Sequence, residues 1–206
     1  MLKNCTPGSV RGAARKGGSY RRGTIDMVTQ VAHADLSIRS FLLDEILRFV
    51  ERARTCPGVR RIALIGSLAK DKDDPKDADV LVTVDDDADL TALAAAGRRL
   101  KGRAQSRNSG ADIFLADLSG NYIGRTCHWR ECRPGIRVAC DARHCGRRHF
   151  LHDDLDDVTL DPALIKTPPL DLWPRVVRRS EVPHDVETRL VQPIEARRAS
   201  TDAHGA

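Results

Sequence analysis

The stretch IALIGSLAKDKDDPKDADVLV, residues 62–82, decides how the chain is read. It opens on a near-continuous apolar run, Ile62, Ala63, Leu64 and Ile65, of the kind found in a strand covered on both faces. The run stops at Gly66-Ser67, a charged loop follows, and a second strand opens with Asp77-Ala78-Asp79 and continues through Val80, Leu81, Val82 and Val84. Strand side chains alternate between faces, so Asp77 and Asp79 share one, about 6 to 7 Å apart along the strand. Two carboxylates held that way repel unless a cation sits between them. Magnesium suits the place, because it takes oxygen ligands and is usually shared between one or two carboxylates and substrate phosphates. Gly66 permits close backbone approach, and Ser67 adds a hydroxyl and an amide at an expected strand-to-helix turn, where anions are favoured.

Working outward, the segment DLSIRSFLLDEILRFVERAR, residues 35–54, places Ile38, Leu42, Ile46, Phe49, Val50 and Ala53 at helical spacing. Arg39, Asp44, Arg48, Glu51 and Arg52 are expected on the opposite, wet side. Asp35 is the expected N-cap, and Cys56-Pro57-Gly58 ends the helix. On the other side, DLTALAAAGRRLKG reads as a short helix capped by Asp89, and ADIFLAD as a third buried strand. Helices and strands alternating at this length predict an α/β (α+β) domain with a small mixed sheet flanked by helices. Asp112 opens the third strand and would complete a two-metal site of the kind that activates an attacking oxygen and steadies a leaving one. Asp117 is the fallback third carboxylate, on the other face of that strand.

These elements resemble the polymerase-beta-type nucleotidyltransferase superfamily, and its minimal stand-alone members in particular. The matching residues are Gly66-Ser67 after an apolar strand, Asp77-Ala78-Asp79 followed by apolar residues, and the later Asp112. The resemblance covers roughly residues 35–120. It implies that Asp77 and Asp79 bind Mg2+, that Asp112 binds the second metal and assists the acceptor hydroxyl, and that Gly66, Ser67 and Lys70 hold the triphosphate of an NTP such as ATP. The expected activity is transfer of a nucleoside monophosphate to a hydroxyl or phosphate on a protein, RNA or small-molecule acceptor. Lys70 stands where many small members carry arginine, Asp71 where they carry glycine, and the spacer is acidic with Asp71, Asp73 and Asp74. Those departures motivate an alternative, a catalytically degraded binding or regulatory module, for instance the antitoxin-like half of a two-protein system with a partner protein.

Beyond Gly120 the texture changes. Residues 125–149 hold seven arginines, four cysteines and three histidines. Cys127, Cys132, Cys140 and Cys145 are spaced near the range for a structural zinc, with His128, His144 and His149 as substitutes. Partly buried thiols and redox or disulfide pairs remain open beside zinc, and a zinc-bearing nucleic-acid binder is the third functional class. The arginines either contact phosphate or neutralise the acids at 153–157, and the second is favoured; otherwise those acids read as solvated turns. Prolines 168, 169, 174 and 183 predict an extended tail held by Leu170, Leu172 and Trp173. The expected organisation is a basic leader at 1–30, a nucleotidyltransferase-like core at 31–120, a Cys/His/Arg-rich extension at 121–165 packed on the core, and an extended, partly disordered tail at 166–206.

Two hundred and six residues with 41% apolar and 31% charged side chains suit one compact domain with additions. No apolar run reaches the 18 or so residues of a membrane helix, and none follows a basic start as a secretory signal does, so a cytoplasmic location without membrane contact is expected. The formal charge of +5 sits wholly in residues 1–26, where six basic groups face only Asp26. That leader reads as a tail or a start mis-called ahead of Met27, as a nonspecific nucleic-acid arm, or as a targeting peptide, and its glycines count against the last.

Overall fold

The computed structural model of the chain describes residues 37–72, 75–132 and 148–203. Its centre is a seven-stranded sheet: β1 (Val59–Ile65), β2 (Asp77–Val84), β3 (Gly110–Ala116), β4 (Tyr122–Thr126), β5 (Leu151–His152), β6 (Leu170–Trp173) and β7 (Val177–Arg178), in the order β5-β4-β3-β2-β1-β6-β7. Only β2 and β3 run parallel. A parallel pair needs a crossover, and helix α2 (Thr91–Gln105) supplies it, while α1 (Ile38–Ala53) precedes the sheet. Among the described residues three further helices follow: α3 (Pro162–Lys166), the single turn α4 (His184–Val186), and α5 (Gln192–Ala203), with a π-helical stretch Glu187–Val191 joining the last two. The chain thus has the expected mixed α+β fold.

Strand alternation sorts the sheet into two unlike faces. Ile62, Leu64, Val80, Val82, Ile113 and Leu115 point toward the helices and pack with Leu42, Ile46 and Phe49 of α1 and Leu93 and Leu100 of α2. Each such side chain, taken fully out of water, contributes about 1.5 to 3 kcal/mol before the entropy of ordering is counted. On the other face, Ala63, Ile65, Leu81 and Ala116 form a small cluster under Ile165 of α3. That cluster covers the middle of the face, and the first residues of β2 and β3 lie beyond it.

Several expectations change. The N-cap of α1 is Ser37, whose side chain accepts from the Ser40 amide, rather than Asp35. Arg39 is buried instead of solvated. Asp89 accepts from the Thr91 amide at 2.9 Å, but from one residue ahead of the N-cap of α2, which is Leu90 and not Asp89. Residues 122–126 join the sheet as β4 where only an irregular extension was expected. The tail beyond 166 is not an extended wrap. Leu170, Leu172 and Trp173 anchor it as β6, paired directly with β1, and residues 184–203 are helical, packed through Val186, Leu190 and Val191. The prolines punctuate these elements without preventing them: Pro183 is the N-cap of α4. The leader at 1–30 and most of the Cys/His/Arg block lie outside the described residues. Among the described residues no helix is long and apolar enough to cross a membrane.

Candidate functional site

Asp77 and Asp79 open β2 on the face away from α1 and α2, because the alternate residues Ala78 and Val80 are committed to the helical core. The parallel register sets Asp77 beside Gly110 and Asp79 beside Asp112. All three carboxylates therefore occupy one side of the sheet. Two glycines make room for them. A Cβ on Gly66, whose φ is +72°, would overlap the Asp79 carboxylate, and one on Gly110 would overlap that of Asp77. Gly66 is thus fixed twice, by a left-handed backbone and by the approach of Asp79.

The electrostatics mark Asp79 as the strained member. Burial, and then the charges of Asp77 and Asp112, push its carboxyl from near 3.8 up to about 6. Nothing neutralises that carboxylate among the described ion pairs. Asp112 is different: its Oδ1 lies 3.5 Å from Lys101 Nζ of α2 and 3.2 Å from an Arg125 guanidinium nitrogen of β4. Arg125 also donates from Nε to Asp154 at 2.6 Å, and Tyr122 donates its hydroxyl to the same carboxylate at 2.7 Å. Asp154 is 4% exposed, so it is a buried anchor for Arg125 rather than a solvated turn. It also gives the arginine-neutralising role expected of the acids at 153–157 one definite instance.

The Gly66-Ser67 bend leads into a short turn with no helix behind it: the Lys70 amide donates to Ser67 O at 3.2 Å, and the chain then runs to β2. The expected strand-to-helix turn is therefore absent. The loop is instead held from below by Arg39, whose guanidinium donates to the carbonyls of Leu68, Lys70 and Lys72 at 3.2, 3.0 and 3.1 Å. Asp185, at the far end of the sequence, closes the clamp at 2.5 Å from Arg39 Nε. The Lys70 side chain is exposed and lines another, wider cleft with Asp71, Ser180 and His184, while Asp112 lines a small pocket with Lys101 and His128. Asp73 and Asp74 lie outside the described residues. Asp117 accepts from the Asn121 amide and side chain in the β3–β4 turn, a turn-stabilising role that the fallback assignment did not foresee.

Among the described residues no three His, Cys, Asp or Glu side chains are gathered tightly enough to hold one ion. Asp77 and Asp79 nonetheless form an oxygen-only pair, without an ion-pair partner among the described residues, that suits a hard cation completed by phosphate oxygens; Asp112 would have to leave Lys101 and Arg125 to join them. Of the cysteines, Cys127 is buried and Cys132 half-buried, its Sγ accepting from the Phe150 amide at 3.2 Å. Cys140 and Cys145, the other two candidate zinc ligands, lie outside the described residues.

Sequence reasoning missed Arg39, Asp185, Lys101, Arg125, Tyr122 and Asp154. Arg39 was legible in hindsight: with Leu42, Leu43 and Ile46 it falls at i, i+3, i+4 and i+7, on the apolar stripe.

Fold and site together define an α+β protein whose sheet carries the long helices α1 and α2 on one face and, on the other, the short helix α3 and an acidic, glycine-cradled corner. Residues 17–133, more than half of the chain, match a family of unknown function (DUF6932), and the chain belongs to that family. No curated protein and no solved structure matches it.

Proposed function

We propose that this protein is a magnesium-dependent nucleotidyltransferase that moves a nucleoside monophosphate from an NTP, such as ATP, to a hydroxyl or phosphate acceptor. The observation that carries the reading is Asp79. A carboxyl raised to about 6 by burial and by two neighbouring carboxylates, yet left without a cationic partner among the described residues, is a place where a bound cation gains most. Bound there by Asp77 and Asp79, Mg2+ would supply charge neutralisation for the phosphates of the substrate. The residues do the rest. Gly66 keeps side-chain bulk away from the carboxylates, Arg39 fixes the bend carrying Ser67, and Asp112 takes the proton of the acceptor as it attacks the α-phosphorus. The new P–O bond forms as the bond to pyrophosphate breaks, and pyrophosphate leaves with the electron pair. The cytoplasm, with its NTP pool, is the compartment this reading requires.

Incubation of cell extract with α-labelled ATP, magnesium and the protein should label an acceptor, and Asp77→Ala and Asp79→Ala should abolish the labelling. Equal labelling by these variants removes the mechanism. One observation favours a second reading: Asp112 is already ion-paired with Lys101 and Arg125, as suits a binding or regulatory module that has lost transfer. Calorimetry separates the two, since magnesium-dependent ATP binding without labelling of any acceptor points to the module.

A further inference from the structure

The outer surface of the helical layer carries a feature that nucleotide transfer does not use. Between α1 and α2 lies an open groove of about 490 Å3 lined by Arg48 and Arg52 on one helix, Arg98, Arg99 and Arg103 on the other, and Glu45 at its floor. Arg48, Arg52, Arg99 and Arg103 are exposed. The single acid is buried and already shared, with Glu45 Oε1 at 2.5 Å from Arg48 and 3.0 Å from Arg103. Arg98 spends its guanidinium on the Trp129 carbonyl at 2.9 Å and the Phe150 ring, neither of which is an anion. Among the described residues Arg52 reaches only the Arg48 carbonyl at 3.4 Å, and Arg99 makes no ion pair. Five guanidinium groups facing one carboxylate leave a surplus of four positive charges.

Protein surfaces do not gather unpaired like charges without an electrostatic cost, and an anionic partner removes it. The arrangement also selects among anions. Arg48 and Arg52, like Arg99 and Arg103, are one helical turn apart, so two rows of guanidinium forks face each other across the groove. Forks recognise phosphate oxygens in pairs. A row about 6 Å long spans about two phosphates of a strand that carries one per 3.4 Å of axis. No aromatic ring lines the groove among the described residues, and Phe41 nearby is covered by Arg103 and Arg107. Base stacking, on which single-strand binders rely, is therefore not offered. We propose that the groove between α1 and α2 is a docking surface for the phosphate backbone of a nucleic-acid duplex. The surface stands independently of whether the acidic corner performs transfer.

The test is fluorescence anisotropy of the full chain with a short labelled duplex, made once as RNA and once as DNA, over a range of salt. Wild type should bind with a salt slope, and Arg52→Gln/Arg99→Gln should weaken binding about tenfold and reduce the slope by about 1.8, two phosphate contacts' worth. This pair spares Arg48 and Arg103, the partners of Glu45, so the fold is kept. Arg60→Gln/Arg175→Gln removes the same charge from exposed positions outside the groove and should change affinity less than twofold. Undiminished binding by Arg52→Gln/Arg99→Gln, including binding carried by the basic leader, overturns the proposal. So does an equal loss in the control pair. Poly-glutamate or phosphatidylserine vesicles bound as tightly through the same two arginines would make the groove a general anion trap and overturn it too.

Discussion

Asp79→Asn should stabilise the protein at neutral pH, and the gain should fade in acid. Burial and the charges of Asp77 and Asp112 raise this carboxyl from near 3.8 to about 6. A carboxyl that holds its proton more tightly when folded makes the folded state gain stability as pH falls. The penalty is therefore complete above about pH 6, shrinks between about 6 and about 4, and is gone below the unfolded value. A rise from 3.8 to about 6 corresponds to about 3 kcal/mol, and about 1 to 2 kcal/mol is the fair expectation because part of the group still meets water. Asparagine keeps the shape and removes the charge. Urea unfolding in EDTA should show a higher midpoint for the variant at about pH 7.5, an unchanged slope, and near-coincidence at about pH 4. Magnesium should then raise the wild-type midpoint at neutral pH, by about 1.4 kcal/mol at ten times its Kd, and leave the variant where it was. A lower midpoint for Asp79→Asn at neutral pH, or the same gain at both pH values, would refute the electrostatic account of this corner.

Three further outcomes follow from the contacts. Arg39→Met strips three loop carbonyls of their donor and leaves Asp185 unpaired; it should cost about 2 to 4 kcal/mol, read as a fall in melting temperature of roughly 5 to 15 °C. Adding Asp185→Leu should cost much less than it does alone, because the two residues form one unit. Gly66→Ala should cost about 1 to 3 kcal/mol in urea unfolding, and Asp79→Gly in the same chain should recover the part due to overlap; a neutral Gly66→Ala would mean that Asp79 does not lie against it. Asp154→Asn should keep the Tyr122 hydrogen bond, loosen Arg125 and cost about 1 to 3 kcal/mol in the same assay.

What the sequence by itself determined was local. The apolar runs at 62–65, 80–84 and 113–116 specify strands, and the period of two puts Asp77 and Asp79 on one face whatever the rest of the chain does. The helical stripe of α1 and its end ahead of Cys56-Pro57-Gly58 were equally legible. Only the tertiary structure decided which groups meet that pair. The parallel pairing of β2 with β3 brings Asp112 alongside Asp79, and parallel register is set by packing rather than by any nearby turn. The shift in register between β3 and β4, where Ile123 is passed over between Tyr122 and Gly124 (φ +125°), sends Tyr122 and Arg125 to the same buried carboxylate although they are three residues apart. Strict alternation forbids that outcome, so no periodicity could have shown it. Likewise the clamp on the Gly66-Ser67 loop joins Arg39 to Asp185 across most of the chain. A buried arginine is tolerated only where several acceptors converge on it, and convergence is a property of the folded chain alone.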